Sequence, residues 1–289
     1  MKTTPTERLM EAVDDVRPGP VGRLLRYPLT WMVIGVVGVG VVAGLTAQRE
    51  PIVAVPVLGA TFAIFVYWVI MNFVARRRTP EIAVRHAMSE ALLGAVIGLG
   101  FVAVSAAVIA ALGGYTFRSA DVDVLEVVIP VLTVTLGVAV TEELMFRGFG
   151  LQALEQLLGS WGALLVTASF FGLAHLLNPG ATVWSSIAIA IEAGGLLGAA
   201  FIWRRNLWFV IGLHFAWNTT VALLGLPVSG HSAPGLMAVD VSGPALLTGG
   251  AFGIEGSVMT VALGVLLAVP MLLLARRRGT TVQARRRHP

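Results

Sequence analysis

Eight uninterrupted apolar runs, at 28–47, 51–75, 88–112, 124–146, 160–177, 182–203, 207–226 and 256–275, constrain this chain more than any other feature. A helix rises 1.5 Å per residue, so about 20 apolar residues cross the roughly 30 Å hydrocarbon layer of a bilayer. Inside lipid the backbone must satisfy its own hydrogen bonds, and for isolated runs of this length the helix does so. Breakers and charge separate the runs: Gln48-Arg49-Glu50-Pro51, Arg76-Arg77-Arg78-Thr79-Pro80, Gly113-Gly114, Asn178-Pro179-Gly180 and Arg204-Arg205-Asn206. The expectation is an all-α, polytopic transmembrane bundle of about eight spans. It comprises a tail over 1–27, a membrane domain over 28–275 and a basic tail over 276–289. With 56% hydrophobic and only 12% charged residues, against about 25% charged for a soluble domain, soluble-enzyme, disordered and nucleic-acid-binding classes are excluded. The absence of cysteine excludes disulfides, thiolate metal sites and a cysteine nucleophile. The first apolar run starts late and has full span length, which argues against a cleaved signal peptide.

Basic residues set the expected orientation. With alternating spans and a cytoplasmic amino terminus, 17 of the 20 fall on the cytoplasmic side. Arg49 and Arg118 fall opposite, and Arg147 lies within a motif at a span's end. The positive-inside rule then puts both termini in the cytoplasm, which requires an even number of spans. The expectation is an integral, multi-pass protein of a plasma membrane. Its bilayer contacts include an arginine-rich tail touching anionic lipid, and it has no nucleic-acid partner. Residues 227–255, rich in Gly and Pro, read as an outer loop that partly re-enters the bilayer. Trp31, Trp68, Trp161, Trp184, Trp203 and Trp208 sit near span ends and read as interfacial anchors.

A charge near the bilayer centre costs roughly 2.5–3.5 kcal/mol on insertion scales, so each polar group inside a span marks a candidate site. These are Glu142, Glu143 and Arg147 on the fourth run, His175 on the fifth, Glu192 on the sixth, and His214 with Asn218 on the seventh. Glu143 and Arg147, four apart, share a helix face and suit a buried ion pair, while Glu142 points about 100° away. His214 and Asn218 share a face by the same spacing, as do Phe171 and His175. A hairpin turn near Gly159-Ser160 places Glu142 and His175 level on antiparallel helices. His214 follows closely on Arg205, and bringing it level too requires 148–159 to project as an amphipathic tip, with the four groups meeting in the cytoplasmic half of the membrane. Two chemistries fit. Glu142 beside His175 is a general-base arrangement for activating water, with His214 and Asn218 as oxyanion donors. Two histidines and a glutamate are equally the ligands of a catalytic zinc.

Other protease signatures are missing from the spans: no HExxH, no GxSxG and no intramembrane aspartate pair. Thr141-Glu142-Glu143-Leu144-Met145-Phe146-Arg147 resembles an EExxxR motif, Phe171-Gly172-Leu173-Ala174-His175 an FxxxH motif, and His214-Phe215-Ala216-Trp217-Asn218 an HxxxN motif. In this order they resemble the CAAX proteases and bacteriocin-processing enzymes, the Abi or type II CAAX prenyl endopeptidase family, over about 124–226. The resemblance implies an eight-helix, membrane-embedded endopeptidase domain acting on a peptide or protein substrate at the membrane. The residue matching Glu142 would activate water, helped by that matching His175. Those matching His214 and Asn218 would form the oxyanion pocket, and those matching Glu143 and Arg147 would support the site. Although the family is often labelled metalloprotease, the favoured mechanism needs no cofactor, with zinc as the alternative. Many relatives are prokaryotic, and a prokaryotic plasma membrane is expected. Glu192 matches no motif position. The rival reading is a transporter, proton relay or inactive scaffold using the same groups, for which a continuous polar path across the bilayer is the discriminating feature.

Overall fold

The computed structural model describes residues 19–46 and 54–284. Lys2, Arg8, Arg17, the break at 48–51 and Arg285 to Arg287, all used for topology above, lie outside the described residues. Eight helical rods follow a short helix, Pro20–Leu25. They are α1 (Pro28–Thr46), α2 (Ala54–Val69, continued by a π turn over Ile70–Val74) and α3 (Ala87–Ala111). Next come α4 (Val124–Glu143, continued by a π segment over Leu144–Leu151 and by 152–158), α5 (160–175) and α6 (Val183–Arg204, with a π turn over Ala190–Gly195). The last two are α7 (Leu207–Leu223) and α8 (Val258–Arg277). Each coincides with one expected run. Six helical stretches are long and apolar enough to cross a membrane; the 52-residue stretch Val124–His175 counts once, and α7 is a shorter apolar helix. The break inside that stretch is Gly159, at φ 71° and ψ 172°. This left-handed conformation suits glycine, and it turns α4 back into antiparallel α5 at the expected position. The chain is an all-α polytopic membrane protein.

Lipid-facing and protein-facing surfaces are both apolar here, so polar spacing does not reveal which side of a rod packs inward. Glycines mark the closest approaches. A Cβ at Gly98 of α3 would lie 2.2 Å from the Leu213 carbonyl oxygen, and one at Gly212 of α7 would lie 2.1 Å from that of Ala91. Backbones of α3 and α7 therefore touch, as small residues allow in membrane bundles. On its other side α7 meets α4, where the Thr135 and Thr219 hydroxyls hydrogen-bond at 2.8 Å. His214 is thereby fixed between α3 and α4.

One end of the bundle gathers the arginines. Arg204 pairs with Glu90 at the start of α3. Arg205 pairs with Glu155 at 2.5 Å, approaches Ser160 Oγ at 3.4 Å, and donates to the Thr280 carbonyl. Ser160 also exchanges hydrogen bonds with Val282, docking the carboxy-terminal segment on the α4–α5 turn. Arg77, after α2, reaches Glu81 and Gln152, and Tyr67 completes that cluster. At the opposite end, β1 (Tyr115–Ser119) pairs antiparallel with β2 (Met237–Val241), Tyr115 opposite Val241. This ribbon and the 224–257 connection cap that face.

Two expectations are corrected. Residues 148–158 do not project as a tip: Phe149, Leu151 and Ala153 are fully buried. Phe149 wedges against Tyr67 (4.8 Å between ring centroids) and Trp31 (6.4 Å). Trp31 is accordingly 1% exposed and packs inside the bundle, whereas Trp68 and Trp161 remain exposed as anchors would.

Candidate functional site

The site forms where α4, α5 and α7 converge. Their first joint is the buried pair Glu143–Arg147, 2.9 Å apart and 0% and 2% exposed. Glu143 Oε1 also lies 2.8 Å from His214 Nδ1. A carboxylate only accepts, so Nδ1 carries the hydrogen and Nε2 faces Glu142, whose Oε2 is 3.9 Å away. One glutamate thus fixes α7 to α4 and sets the orientation of the histidine ring.

Arg147 carries the arrangement to α6 and α5. Its second terminal nitrogen donates to the carbonyls of Ala193 (2.8 Å) and Gly194 (3.1 Å). Both belong to the π turn of α6, where the widened helix presents carbonyls to a side chain. The guanidinium also stands 5.1 Å from the centroid of the Phe171 ring, a cation–π distance. Phe171 stacks on His175 with centroids 4.5 Å apart, and its carbonyl lies 2.7 Å from His175 Nδ1. That carbonyl can only accept, which leaves Nε2 of His175 as the nitrogen available to a reactant.

Glu142, His175, His214 and Asn218 all line one cavity of about 500 Å³. Glu142 makes no hydrogen bond among the described residues, and its side chain is 23% exposed, so water reaches it. Glu143, one residue on, is sealed. Asn218 is buried, with its amide unbonded to other described side chains. The two support residues and four candidate reacting groups therefore occupy one neighbourhood, with the close contact of Glu142 made to His214.

Glu255 is a cavity residue that the sequence did not single out. It lies in the loop before α8, 2% exposed, and its Oε2 accepts from the Ser229 amide (2.5 Å) and hydroxyl (2.8 Å). Burial holds the Glu255 carboxyl above its ordinary value, opposed by those Ser229 hydrogen bonds and by the nearby His175 and His214. Its only sequence signal was a carboxylate within a Gly-rich stretch. Glu192, by contrast, is outside the cavity: it is fully buried against Gly264 of α8, neither oxygen bonded among the described residues.

The cavity extends away from the arginines. One face of α4, from Glu142 through Val138, Val134 and Pro130 to Glu126, forms a wall about 24 Å long. Asn178, Ser229 and His231 stand at its far end. On the arginine side of Glu142, Leu144, Phe149 and Leu151 are fully buried, Phe149 against Tyr67 and Trp31, and none of the three lines the cavity. The groups that line it stand at different depths: His214 lies nine residues past Arg205, about 13 Å along the chain. Because 148–158 is packed rather than projecting, the Gly159 turn stays beside Arg205, and His175 lies about 22 Å along α5 toward the opposite end.

Among the described residues no group of three or more His, Asp or Glu side chains is arranged to hold a metal ion. The chemistry proposed below uses no metal. Comparison with curated proteins and with solved structures gives no match. Residues 124–220, the stretch that supplies Glu142, Glu143, Arg147, His175, His214 and Asn218, match the family described as type II CAAX prenyl endopeptidase Rce1-like, over about a third of the chain.

Proposed function

We propose that this chain is an intramembrane endopeptidase in which Glu142 activates the attacking water. The observation that carries this reading is a partly exposed carboxylate sharing one cavity with two histidines and an amide, 3.9 Å from one of the rings. Glu142 takes a proton from water as its oxygen attacks the scissile carbonyl carbon. Asn218 and His214 face the position where the carbonyl oxygen becomes an oxyanion. For His214 to donate from Nε2 while Nδ1 donates to Glu143, the ring must be an imidazolium. Collapse breaks the carbon–nitrogen bond, and the departing amine takes the proton that Glu142 removed from water, directly or relayed through Nε2 of His175. Glu143 and Arg147 touch neither water nor substrate; they are positioning residues.

Membrane transport is the less favoured reading, because the cavity lining ends at Glu142 and includes none of Glu143, Arg147, Gln152 and Arg77, the polar groups between it and the arginine end. Eight crossings follow from the apolar runs, cytoplasmic termini from the arginine distribution, and a prokaryotic plasma membrane from the resemblance; all three remain part of this proposal. The test is cleavage of a quenched peptide library by purified full chain, read by mass spectrometry. Glu142→Gln is expected to lose about 10²–10⁴ in rate, and Asn218→Ala about 10²–10³. Undiminished cleavage by folded Glu142→Gln protein refutes the base assignment.

A further inference from the structure

The arginines and the cavity mouth lie at opposite ends of the bundle. Arg77, Arg204 and Arg205 are tied into one layer with the Gly159 turn and the carboxy-terminal segment. Arg23, Arg26, Arg85 and Arg276 to Arg278 adjoin helix ends on that same side. Among the described residues Arg118, on β1, is the arginine of the other face, and it pairs with Asp240 at 2.9 Å. None of these arginines lines the cavity, whose rim consists of Glu126, Asn178 and the 228–234 segment. By the positive-inside rule the arginine end is cytoplasmic. The cavity lining includes no residue between Glu142 and Phe171, the stretch that runs to the arginine end and back.

The geometry points to a peptidase site entered from the extracytoplasmic side, taking an apolar, non-acidic peptide segment of an exported or membrane-anchored protein. This inference rests on the proposed hydrolytic reading and adds to it the side of entry and the class of substrate. The wall of α4 facing the cavity is apolar over most of its length, with Val127, Val131, Val134 and Val138. Three carboxylates, Glu126 and Glu142 on that wall and Glu255 from the loop before α8, line the cavity against the single His214 imidazolium, and neither Lys nor Arg is present to receive an anion. An extended segment of neutral side chains fits such a trough. An Asp near the scissile bond meets more negative than positive charge, which opposes binding.

The natural chain has no cysteine, so single reporters can be introduced at exposed positions without background. Ser232→Cys sits on the rim, and Gln283→Cys sits beside the docked carboxy-terminal segment. In intact bacterial cells expressing the full chain, a membrane-impermeant maleimide is expected to label Ser232→Cys and to reach Gln283→Cys only after permeabilisation. The reverse pattern overturns the inference. In the same intact cells, an impermeant quenched apolar peptide is expected to be cleaved, and blocking the Ser232→Cys thiol with a bulky maleimide is expected to suppress that cleavage. Placing Asp beside the scissile bond should lower kcat/KM by about tenfold or more; equal cleavage of the acidic peptide overturns the substrate class. Labelling reads orientation whether or not the protein cleaves anything. Rim labelling from outside with no cleavage of any peptide supports the side of entry and removes the hydrolytic reading.

Discussion

Removing either charge of the Glu143–Arg147 pair should damage the fold far more than removing both. The two groups meet at 2.9 Å with almost no exposure, where water cannot replace a lost partner. At an effective dielectric of about 20, unit charges about 4 Å apart attract by about 4 kcal/mol. Deleting one member of a buried pair typically costs about 3–5 kcal/mol, because a bare charge stays inside. Glu143→Leu leaves Arg147 with only the Ala193 and Gly194 carbonyls, dipoles that do not cancel a full charge. With about 2–4 °C per kcal/mol for domains approaching this size, the thermal midpoint should fall by about 10 °C. Glu143→Leu/Arg147→Met removes both charges and fills the space, and replacing both partners is often neutral; its midpoint should recover most of the loss. The assay is thermal unfolding of the wild type, both single variants and the double variant in one detergent. Additive losses, or a Glu143→Leu penalty below about 1 kcal/mol, would refute the claim that this pair is sealed and mutually dependent.

Gly98→Val should abolish cleavage and lower stability, since a Cβ there falls 2.2 Å from the Leu213 carbonyl and must push α7, with His214, off its seat against α3; wild-type activity in that variant would contradict the close approach. Glu255 gives a pH signature. Its carboxyl is raised in the folded state, so its favourable contribution is complete below the ordinary carboxylate range and is lost as pH rises through the folded value. The midpoint of Glu255→Gln should therefore gain on wild type as pH rises from that range toward neutrality, and parallel curves would count against the burial argument. Incubation with a strong chelator should leave cleavage unchanged; loss that zinc restores would overturn the metal-free chemistry.

The rods were legible because length and apolarity are what a bilayer demands, and each break lay where Gly, Pro or arginine interrupts a run. The motif residues were legible because ionisable groups in apolar helices stand out, and four-residue spacing told which of them share a face. Trp31 was misplaced for a physical reason: the lipid-facing and protein-facing sides of α1 are equally apolar, and nothing in its sequence tells them apart. The same ambiguity hid the burial of Phe149 and Leu151, and with it the direction in which the cavity opens. Glu255 escaped because it follows no helical period. It reaches the cavity through a chain of short turns over Gly250–Gly256, whose path depends on tertiary contacts. The β1–β2 ribbon joins segments more than a hundred residues apart, and its partners are set by the bundle between them.

The central claim is that side chains from helices distant along the chain share one reactive pocket, and a thiol pair tests it directly. Glu142→Cys/His214→Cys, placed where the native side-chain atoms are 3.9 Å apart, should be bridged by a short bifunctional thiol reagent in the membrane. Glu142→Cys/Leu177→Cys, with one thiol at an exposed position past the end of α5, should not. Equal bridging of the two pairs, or none at 142 and 214 in folded protein, would contradict the convergence on which the account stands.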